Sequence, residues 1–307
     1  MKVRIGTRGS PLALAQAREV SDRLDAAHGK GVHQLEVRVI RTSGDRIQDR
    51  PLAEVGGKGL FTKEIEEALL AGEIDLAVHS MKDMPTVLPA GLALACFLPR
   101  EDVRDAFIST KAAALAGLPA GAVVGTSSLR RQAQVKRLRP DLAVVPLRGN
   151  VDTRLRRIEE GAVDATLLAC AGLKRLGLES RITAAISPDD MLPAVAQGAI
   201  GIEIRADDAD AAHLLAPVND QPTALAVAVE RAFLARLDGS CRTPIAGLAE
   251  LVSADRLLFR GMILSPDGRQ CYSARREGPP QTGIAMAEDA AAELLAAAGP
   301  DFLAALS

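Results

Sequence analysis

The feature that most constrains the fold is a pattern that recurs along much of the chain. A short apolar run, which predicts a strand, stops at a cluster of Gly, Ser, Thr, Arg or Lys, and a helical period usually follows. The apolar runs are residues 2–5, 74–79, 122–125, 143–147 and 165–170. Strands that alternate with helices predict βαβ units and mainly parallel sheets, and near-continuous apolar strands fit sheets covered on both faces.

The first copy of the pattern shows how such a junction is built. The run at residues 2–5 is followed by Ser10, a natural N-cap, and by Pro11, which suits the first position of a helix. The residues after Pro11 supply a mainly apolar helical face. We therefore expect a strand, a polar turn and a helix in that order.

A different pattern begins at about residue 217. PTALAVAVERAFLARL predicts a helix that starts near Thr223, and MAEDAAAELLAAA predicts a second helix. Between them, LLFRGMILSPDGRQCYSARR predicts two antiparallel strands joined through Pro266, Asp267 and Gly268. The C-terminal part is therefore expected to be a separate, small α+β unit.

Composition excludes several classes of protein. A length of 307 residues suggests two or three domains, and 48% hydrophobic residues are enough for buried cores. A net charge of -2 and 2% aromatic residues argue against nucleic-acid binding by bulk charge or by base stacking. The first residues do not predict a signal peptide, and no unbroken apolar run approaches ~18 residues, so we expect a cytoplasmic protein without a membrane partner.

The four cysteines differ in their surroundings. No pair has CxxC spacing, so neither disulfides nor a metal site are expected. Cys96 and Cys170 lie in apolar runs and are predicted to be core residues, and Cys271 is predicted to lie in a strand. Cys241 lies in the turn-like stretch GSCRTP beside Arg242, which favours the thiolate. Cys241 is therefore predicted to be an exposed nucleophile.

Basic and hydroxyl side chains collect where the predicted strands end. Ligands of open parallel α/β sheets bind beyond these carboxyl ends, near helix N-termini. The junctions carry Thr7, Arg8 and Ser10; Lys82 and Asp83; Thr126, Ser127, Ser128, Arg130 and Arg131; Arg148, Asn150 and Arg154; and Lys174 and Arg175. Residues 130–157 hold nine basic side chains and two acids. Because Arg binds carboxylate and phosphate in a bidentate manner, the pattern predicts a polyanion site.

Some of these arginines have a simpler interpretation. A single Arg can lie on a solvated helix face, and we expect this of Arg156 and Arg157, which neighbour Glu159 and Glu160. The same interpretation for all five junctions together is weaker.

Asp83 is an acid in a region of cations. The neighbouring Lys82 favours its ionised form, and a fixed carboxylate there can stabilise a developing cation or shuttle a proton. The alternative is a local Lys82–Asp83 pair or a turn aspartate. His79 is interpreted as a core residue, or as one that supports the site residues from behind, rather than as a base.

Residues 41–63 form a long, polar, Gly-rich segment. Its GGKGLF stretch has a superficial likeness to a phosphate loop, but Gly59 follows Lys58 where that loop needs Ser or Thr. We interpret the segment as a mobile lid rather than an ATP site.

Several of these stretches together resemble the porphobilinogen deaminase family, also called hydroxymethylbilane synthases. They are RIGTRGSPLALAQA, GGKGLFTKE, DLAVHSMKDMP, GTSSLRRQ, LRGNVDTRL, LACAGLKRLG, PAVAQGAIGIE and DGSCRTPIAG, and they cover nearly the whole chain. The resemblance implies a transferase of tetrapyrrole and haem biosynthesis. It would condense four porphobilinogen molecules, with loss of ammonia, onto a covalent dipyrromethane primer and release hydroxymethylbilane by hydrolysis.

The resemblance also implies roles for single residues. Cys241 would carry the dipyrromethane cofactor through a thioether, and Asp83 would be the catalytic acid. The implied cofactor contacts are Lys82, Thr126, Ser127, Ser128, Arg130, Arg131 and Arg148. The implied substrate contacts are Arg8, Ser10, Arg148, Arg154, Arg175 and Gln197, and Lys58 and Phe61 would belong to the lid. Gln197 would lie at a hinge-like strand.

The implied fold has three domains. Two α/β domains would resemble type II periplasmic binding proteins, residues 1–98 with 194–216 forming the first and residues 99–193 the second. Residues 217–307 would form the α+β domain that carries the cysteine loop. The family expectation is a monomer.

Two other functions stay open at this point. The chain could be a non-catalytic binding protein for a small dicarboxylate or phosphate ligand, in which case Cys241 would not matter for binding. A nucleic-acid-binding role for residues 130–157 is weaker, and it would require steep salt dependence.

Overall fold

The chain divides into two compact units. The computed structural model describes residues 2–46, 60–237, 244–299 and 302. Unit 1 consists of Met1–Glu101 and Gly198–Ala224, and unit 2 of Asp102–Gln197 and Leu225–Ser307. The three-domain division stays a prediction beside this result.

Strands and helices alternate over most of the described residues. The strands are β1 (Lys2–Thr7), β2 (Gln34–Val39), β3 (Leu76–Ser80), β4 (Leu92–Phe97), β5 (Asp105–Ser109), β6 (Val123–Gly125), β7 (Ala143–Val145), β8 (Ala165–Ala169), β9 (Ala184–Ala185), β10 (Ile200–Arg205), β11 (Ile245–Ser253), β12 (Arg256–Leu264) and β13 (Cys271–Gly278). The α-helices are α1 (Pro11–His28), α2 (Ser43–Arg46), α3 (Lys63–Leu70), α4 (Leu129–Leu138), α5 (Val151–Glu159), α6 (Cys170–Arg175), α7 (Ala209–Leu215), α8 (Gln221–Arg236) and α9 (Gly283–Ala298).

Unit 1 is built on a five-stranded sheet with the order β2-β1-β3-β10-β4. β1 is parallel to β2 and β3, and β10 is antiparallel to both of its neighbours. Helix α1 covers the sheet with Ala17, Val20 and Leu24, which are buried. Its predicted start is confirmed, because Pro11 is the first helical residue and the Ser10 hydroxyl accepts a hydrogen bond from the Ala13 N–H at 3.3 Å.

Unit 2 contains a second sheet with the order β7-β6-β8-β5-β9. β6 is parallel to β7 and β8, whereas β5 is antiparallel to β8 and β9. Both five-stranded sheets therefore have the same arrangement, in which one antiparallel strand separates the third parallel strand from the fourth. The predicted α/β class is confirmed. Four of the five strands in each sheet run in the same direction, but two of the four neighbouring pairs are antiparallel, so both sheets are mixed rather than mainly parallel.

The C-terminal residues of unit 2 form a three-stranded antiparallel sheet, β11-β12-β13, covered by α9. The predicted α+β unit and its hairpin are confirmed, and β11 is an additional strand that the sequence pattern did not indicate. The predicted start of α8 at Thr223 is wrong by two residues. The Asp220 carboxylate accepts a hydrogen bond from the Thr223 N–H at 2.9 Å, and α8 begins directly after Asp220.

The β12–β13 turn packs against α4 within unit 2. The Gln132 Nε2 donates a hydrogen bond to the Pro266 carbonyl at 3.3 Å. Gly268 has φ +72, and a Cβ atom on it would lie 2.6 Å from the Arg137 backbone nitrogen and still closer to the Ala133 carbonyl oxygen. Only glycine therefore allows the turn to approach the α4 backbone so closely.

Replacing Gly268 by Ala is expected to lower the free energy of unfolding by more than the roughly 1–2 kcal/mol that left-handed backbone costs an L-residue. The excess arises because the new Cβ collides with the α4 backbone. Urea unfolding measures it against Gly121→Ala, since Gly121 has φ +76 and no neighbouring atom within 4 Å of its Cβ position. Equal losses in the two variants would contradict a tight turn–helix contact.

Two of the cysteines are core residues, as predicted. Cys96 and Cys170 are both buried, and burial raises the pKa of the Cys96 thiol to about 12 and that of Cys170 to about 11. Cys271 is half-buried at the start of β13, which confirms its predicted place in a strand. In the described part of the chain no helix combines the length and apolar character that crossing a membrane requires.

Candidate active site

The carboxyl ends of the parallel strands of unit 1 gather polar side chains at one edge of the sheet. Arg8 to Ser10 follow β1, and a short 3-10 helix, Met81–Asp83, follows the neighbouring β3. Met81 is 1% exposed, and its N–H donates to the Ala199 carbonyl at 3.1 Å. This anchor fixes the backbone on which Lys82 and Asp83 stand.

A pocket opens at this edge, and we call it the Asp83 pocket. It is lined by Arg8, Ser10, Leu12, Ala13, Gln16, Phe61, Thr62, Val78, His79, Ser80, Asp83 and Met84. Gln16 on α1 donates a hydrogen bond from its Nε2 to the Ser80 hydroxyl at 2.7 Å, which ties the helix to the end of β3. Four predicted site residues, Arg8, Ser10, Phe61 and Asp83, therefore line one pocket of unit 1.

Arg8 and Phe61 are in direct contact. The Arg8 guanidinium carbon lies 4.1 Å from the centre of the Phe61 ring, which is a cation–π arrangement. The contact places the Arg8 guanidinium at the pocket that both residues line. Asp83 is exposed and Lys82 is half-buried, so the carboxylate is open to a ligand in the pocket.

The carboxyl ends of the parallel strands β6, β7 and β8 gather a second polar group in unit 2. Thr126 follows β6, and its hydroxyl accepts a hydrogen bond from the Ser128 N–H at 3.2 Å. The Ser128 hydroxyl caps α4 by accepting from the Arg131 N–H at 3.4 Å. Ser127 is exposed between them. The N-terminus of α4 thus presents backbone and hydroxyl donors, the kind of group that binds anions.

Arg130 and Arg131, on the first turn of α4, share one buried carboxylate. Asp105 is 0% exposed, and its two oxygens lie 2.7 Å from Arg130 Nη1 and 2.7 Å from Arg131 Nη2. The guanidiniums also donate to the backbone carbonyls of Leu192 and Leu167, each at 2.9 Å. Both arginines are about 95% buried, so the structure places them inside unit 2 rather than on its surface.

The electrostatics of this group follow from its charges. Burial alone would raise the pKa of Asp105, but the charges of Arg130 and Arg131 outweigh burial and hold that pKa well below its usual range. Burial lowers the pKa of Arg130 against the opposing effect of Asp105. Two guanidiniums against one carboxylate leave one positive charge in excess. The buried Arg130 Nε also finds no hydrogen-bond partner among the described residues.

Gln197 joins the same group. Its Nε2 donates to Asp105 Oδ1 at 3.0 Å and to the Val103 carbonyl at 2.8 Å, and its side chain is 1% exposed. The carboxylate of Asp105 therefore ties the start of β5 to α4 and to the segment around Gln197.

The remaining basic residues lie at the same edge of the second sheet. Arg148 is half-buried after β7, and Asn150 caps α5 by accepting from the Thr153 N–H at 2.9 Å. Arg154 on α5 donates to the Gly149 carbonyl at 2.9 Å, and Arg175 ends α6. Arg148 and Arg154 thus follow β7 and Arg175 follows β8, the two strands that flank β6 in the sheet.

Arg156 and Arg157 are exposed beside Glu160, at 3.6 and 3.4 Å. This placement confirms their interpretation as a solvated helix face.

Two predicted residues lie outside the described part of the chain: Lys58 and Cys241. Conversely, sequence reasoning missed Asp105, Glu66 and Glu203, which are buried acids. A charged residue inside or beside an apolar strand, as in RDAFIS and IGIEIR, was the available signal, because such a charge needs a buried partner.

Comparison with known proteins identifies the family. Residues 3–213 match the family model described as porphobilinogen deaminase, dipyromethane cofactor binding domain, and residues 224–296 match porphobilinogen deaminase, C-terminal domain. Porphobilinogen deaminase of Paracoccus denitrificans is 62% identical over 98% of this chain and 96% of its own length. That of Nitrobacter hamburgensis is 60% identical over 97% and 94%. The chain is therefore an enzyme of the transferase class, and it belongs to the porphobilinogen deaminase family.

Solved structures give a weaker likeness. A periplasmic substrate-binding protein of an ABC transporter from Coxiella burnetii matches 75% of this chain and 96% of its own with 18% identity and a TM-score of 0.42. The aliphatic sulphonate binding protein SsuA of Escherichia coli matches 76% and 70% with 14% identity and a TM-score of 0.40. TM-scores this low do not establish a shared fold. The fold class is assigned instead from the strand order of the two sheets. The alternative of a non-catalytic binding protein gains no support from the curated relatives.

Proposed function

We propose that this protein condenses four porphobilinogen molecules, with loss of ammonia, onto a dipyrromethane primer held by Cys241, and releases hydroxymethylbilane by hydrolysis. The observation that supports this most is the Asp83 pocket, where a carboxylate lies at one edge with Arg8, Ser10 and Phe61. Its Arg8 guanidinium suits a carboxylate of the substrate's acetate and propionate groups, and its carboxylate suits a cationic pyrrole.

The residues present fit a primer that carries several carboxylates. The Asp105 group has an excess positive charge, and the Arg130 Nε lacks a hydrogen-bond partner within the described part of the chain. Both features suit an anionic group, which supports cofactor roles for Arg130 and Arg131. Thr126, Ser127, Ser128, Lys82 and Arg148 would add further contacts. When bound, the dipyrromethane supplies the pyrrole carbon to which the first substrate is joined.

The roles of the other residues follow from their chemistry. Arg8, Ser10, Arg148, Arg154, Arg175 and Gln197 would bind the carboxylates of the substrate and of the growing chain. Asp83 would stabilise positive charge on the reacting pyrrole and accept or donate its proton. Phe61, which contacts the Arg8 guanidinium, would act with Lys58 as part of a lid.

The test of this function is the role of Cys241. Replacing Cys241 by Ala is expected to abolish ammonia release from porphobilinogen, because no primer can be attached. Cys271→Ala is the matched control, since Cys271 is a half-buried strand residue and should leave the rate unchanged. Turnover of Cys241→Ala at the wild-type rate would contradict a cysteine-bound primer.

We further propose a monomer in the cytoplasm with three domains, residues 1–98 with 194–216, 99–193 and 217–307. The small net charge of -2 supports the absence of a nucleic-acid partner. Sedimentation velocity at enzyme concentrations used for turnover tests the oligomeric state.

A further inference from the structure

Behind the Asp83 pocket, three ionisable side chains are buried together in unit 1. Glu66 on α3, His79 on β3 and Glu203 on β10 are 7%, 5% and 0% exposed. The His79 Nε2 lies 3.1 Å from Glu203 Oε2. The strand register explains this contact, because His79 pairs with Gly201 and Glu203 is two residues along β10 on the same face of the sheet.

The two carboxyl groups of this cluster are not fully satisfied. Glu66 Oε1 and Glu203 Oε1 are buried, and neither finds a hydrogen-bond partner among the residues that the structure describes. A buried polar atom without a partner costs about 1–3 kcal/mol, and more when it is charged. Two such atoms on neighbouring elements of one unit therefore need an explanation other than packing.

The surroundings of Glu66, burial first among them, raise the pKa of its carboxyl and favour the protonated form. Burial raises the pKa of the Glu66 carboxyl, and the charge of Glu203 on β10 raises it further. Thr62 and His79 act in the opposite direction, and Glu67 on α3 itself adds a smaller upward effect. Glu66 thus holds a proton more firmly than an exposed glutamate does.

The cluster has a route to the site of the reaction. The His79 Nε2 contacts Glu203, and His79 is also among the residues that line the Asp83 pocket with Ser80 and Asp83. An imidazole can accept a proton at one ring nitrogen and donate from the other. His79 therefore links the Glu203 carboxyl with the pocket, and Glu66 is coupled to Glu203 and His79 through their charges.

We propose that Glu66, His79 and Glu203 form a buried cluster that donates one proton to the Asp83 pocket and is reprotonated in each condensation. The proposal deepens the proposed function and rests on it. Glu66 and Glu203 are not proposed to contact the substrate; they act through His79.

The condensation is balanced when the enzyme donates one proton and later accepts one. The C–N bond of the aminomethyl group breaks, and the nitrogen leaves as ammonia with the bonding electron pair and one proton from the enzyme. The methylene carbon then forms a C–C bond to the accepting pyrrole, whose ring carbon loses a proton to the enzyme. No net proton is consumed in one condensation, so a single group that donates a proton and is then reprotonated is sufficient.

The different roles of the Asp83 and Glu66 carboxyls follow from their environments. Asp83 is exposed, whereas Glu66 is buried beside a second carboxyl. The buried Glu66 carboxyl, whose pKa is raised by burial, suits the role of proton donor, and the exposed Asp83 carboxylate, which is open to the pocket, suits that of proton acceptor. His79 was interpreted from the sequence as a core residue or one that supports the site, and its 5% exposure confirms that it is buried. Its contact with Glu203 and its place in the lining of the pocket are the basis of the role proposed here.

The decisive experiment is Glu66→Gln, which keeps the shape of the side chain but cannot lend a proton. We expect ammonia release to fall at least about 10-fold with KM changed by less than about twofold, since proton transfer and not binding is affected. The control is Glu67→Gln, the adjacent residue on α3, which is exposed and should keep the wild-type rate. His79→Gln is a second test and should show the same loss of rate.

Stability separates this role from a structural one. A carboxyl with a raised pKa in the folded protein loses its proton at lower pH when the chain unfolds. Stability therefore falls as pH rises from the usual Glu range towards the raised value. Glu66→Gln has no carboxyl to titrate, so this dependence of stability on pH is lost. The variant should therefore be at least as stable as the wild type at neutral pH, although its ammonia release is slower.

Three results would count against the proposal. Wild-type turnover in Glu66→Gln would overturn it, and so would a parallel loss of stability and activity at neutral pH, which marks a structural role. Equal rate losses in Glu66→Gln and Glu67→Gln would overturn it as well. Absence of ammonia release by the wild-type protein would instead overturn the proposed function, so the two failures are distinguishable.

Discussion

Replacing Asp83 by Asn is expected to lower the rate of ammonia release from porphobilinogen by about 100-fold or more. Asparagine keeps the size of the side chain but removes the charge that stabilises a cationic pyrrole and the oxygen that exchanges a proton. Because Asp83 is exposed at the end of a short 3-10 helix anchored by buried Met81, the change should leave the fold intact. Steady-state ammonia release together with the thermal unfolding midpoint measures both effects.

The control for this prediction is Asp22→Asn. Asp22 is an exposed aspartate on α1 of the same unit, and its replacement should leave turnover unchanged. Near-normal turnover in Asp83→Asn would reassign Asp83 to a structural turn.

The second large effect is expected for Asp105→Asn. Asp105 is the buried carboxylate that both Arg130 and Arg131 contact, and removing one partner of a buried ion pair costs about 3–5 kcal/mol. Because the pKa of Asp105 is depressed in the folded protein, the ion pair stabilises the fold at every pH above the usual pKa of Asp. This stabilisation is lost only as the pH falls well below that usual pKa. Urea unfolding at neutral pH measures the loss directly.

A matched ion pair at the other end of α4 provides the control. Asp141 contacts Arg139 but is largely exposed, and such pairs contribute little to stability. Asp141→Asn should therefore unfold close to the wild-type midpoint. If Asp105→Asn unfolds there as well, the buried charge group does not hold α4 in place.

The local parts of the fold follow from the sequence. Ser10 and Pro11 predict the start of α1, the apolar runs predict β1, β3, β6, β7 and β8, and Pro266 to Gly268 predict the last hairpin. In each case the signal is contained within a few neighbouring residues, through capping, side-chain period or turn chemistry. Such signals do not depend on the rest of the chain.

The long-range parts could not be predicted in this way. β10 enters the first sheet between β3 and β4, more than a hundred residues along the chain, and β5 occupies the equivalent position in the second sheet. An apolar strand such as IGIEIR does not reveal which sheet it joins or in which direction, because its partners are set by tertiary packing. The position of Asp105 beneath α4 has the same cause.

The site was predictable in its exposed part and not in its buried part. The strand–turn–helix junctions place Arg8, Ser10 and Asp83 at one edge because parallel strands end on the same side. The burial of Arg130 and Arg131 was not foreseen, since it depends on Asp105, a single acid at the start of another strand. Glu66 and Glu203 come together only when α3 and β10 pack on β3.

The intact mass of the purified wild-type protein tests the central claim most directly, because a primer joined through a thioether travels with the chain. The expected mass exceeds that of the amino-acid sequence by two condensed pyrrole units, and brief exposure to porphobilinogen should add further peaks spaced by one pyrrole unit. Protein that releases ammonia from porphobilinogen while its mass equals that of the bare sequence would contradict a covalently primed enzyme.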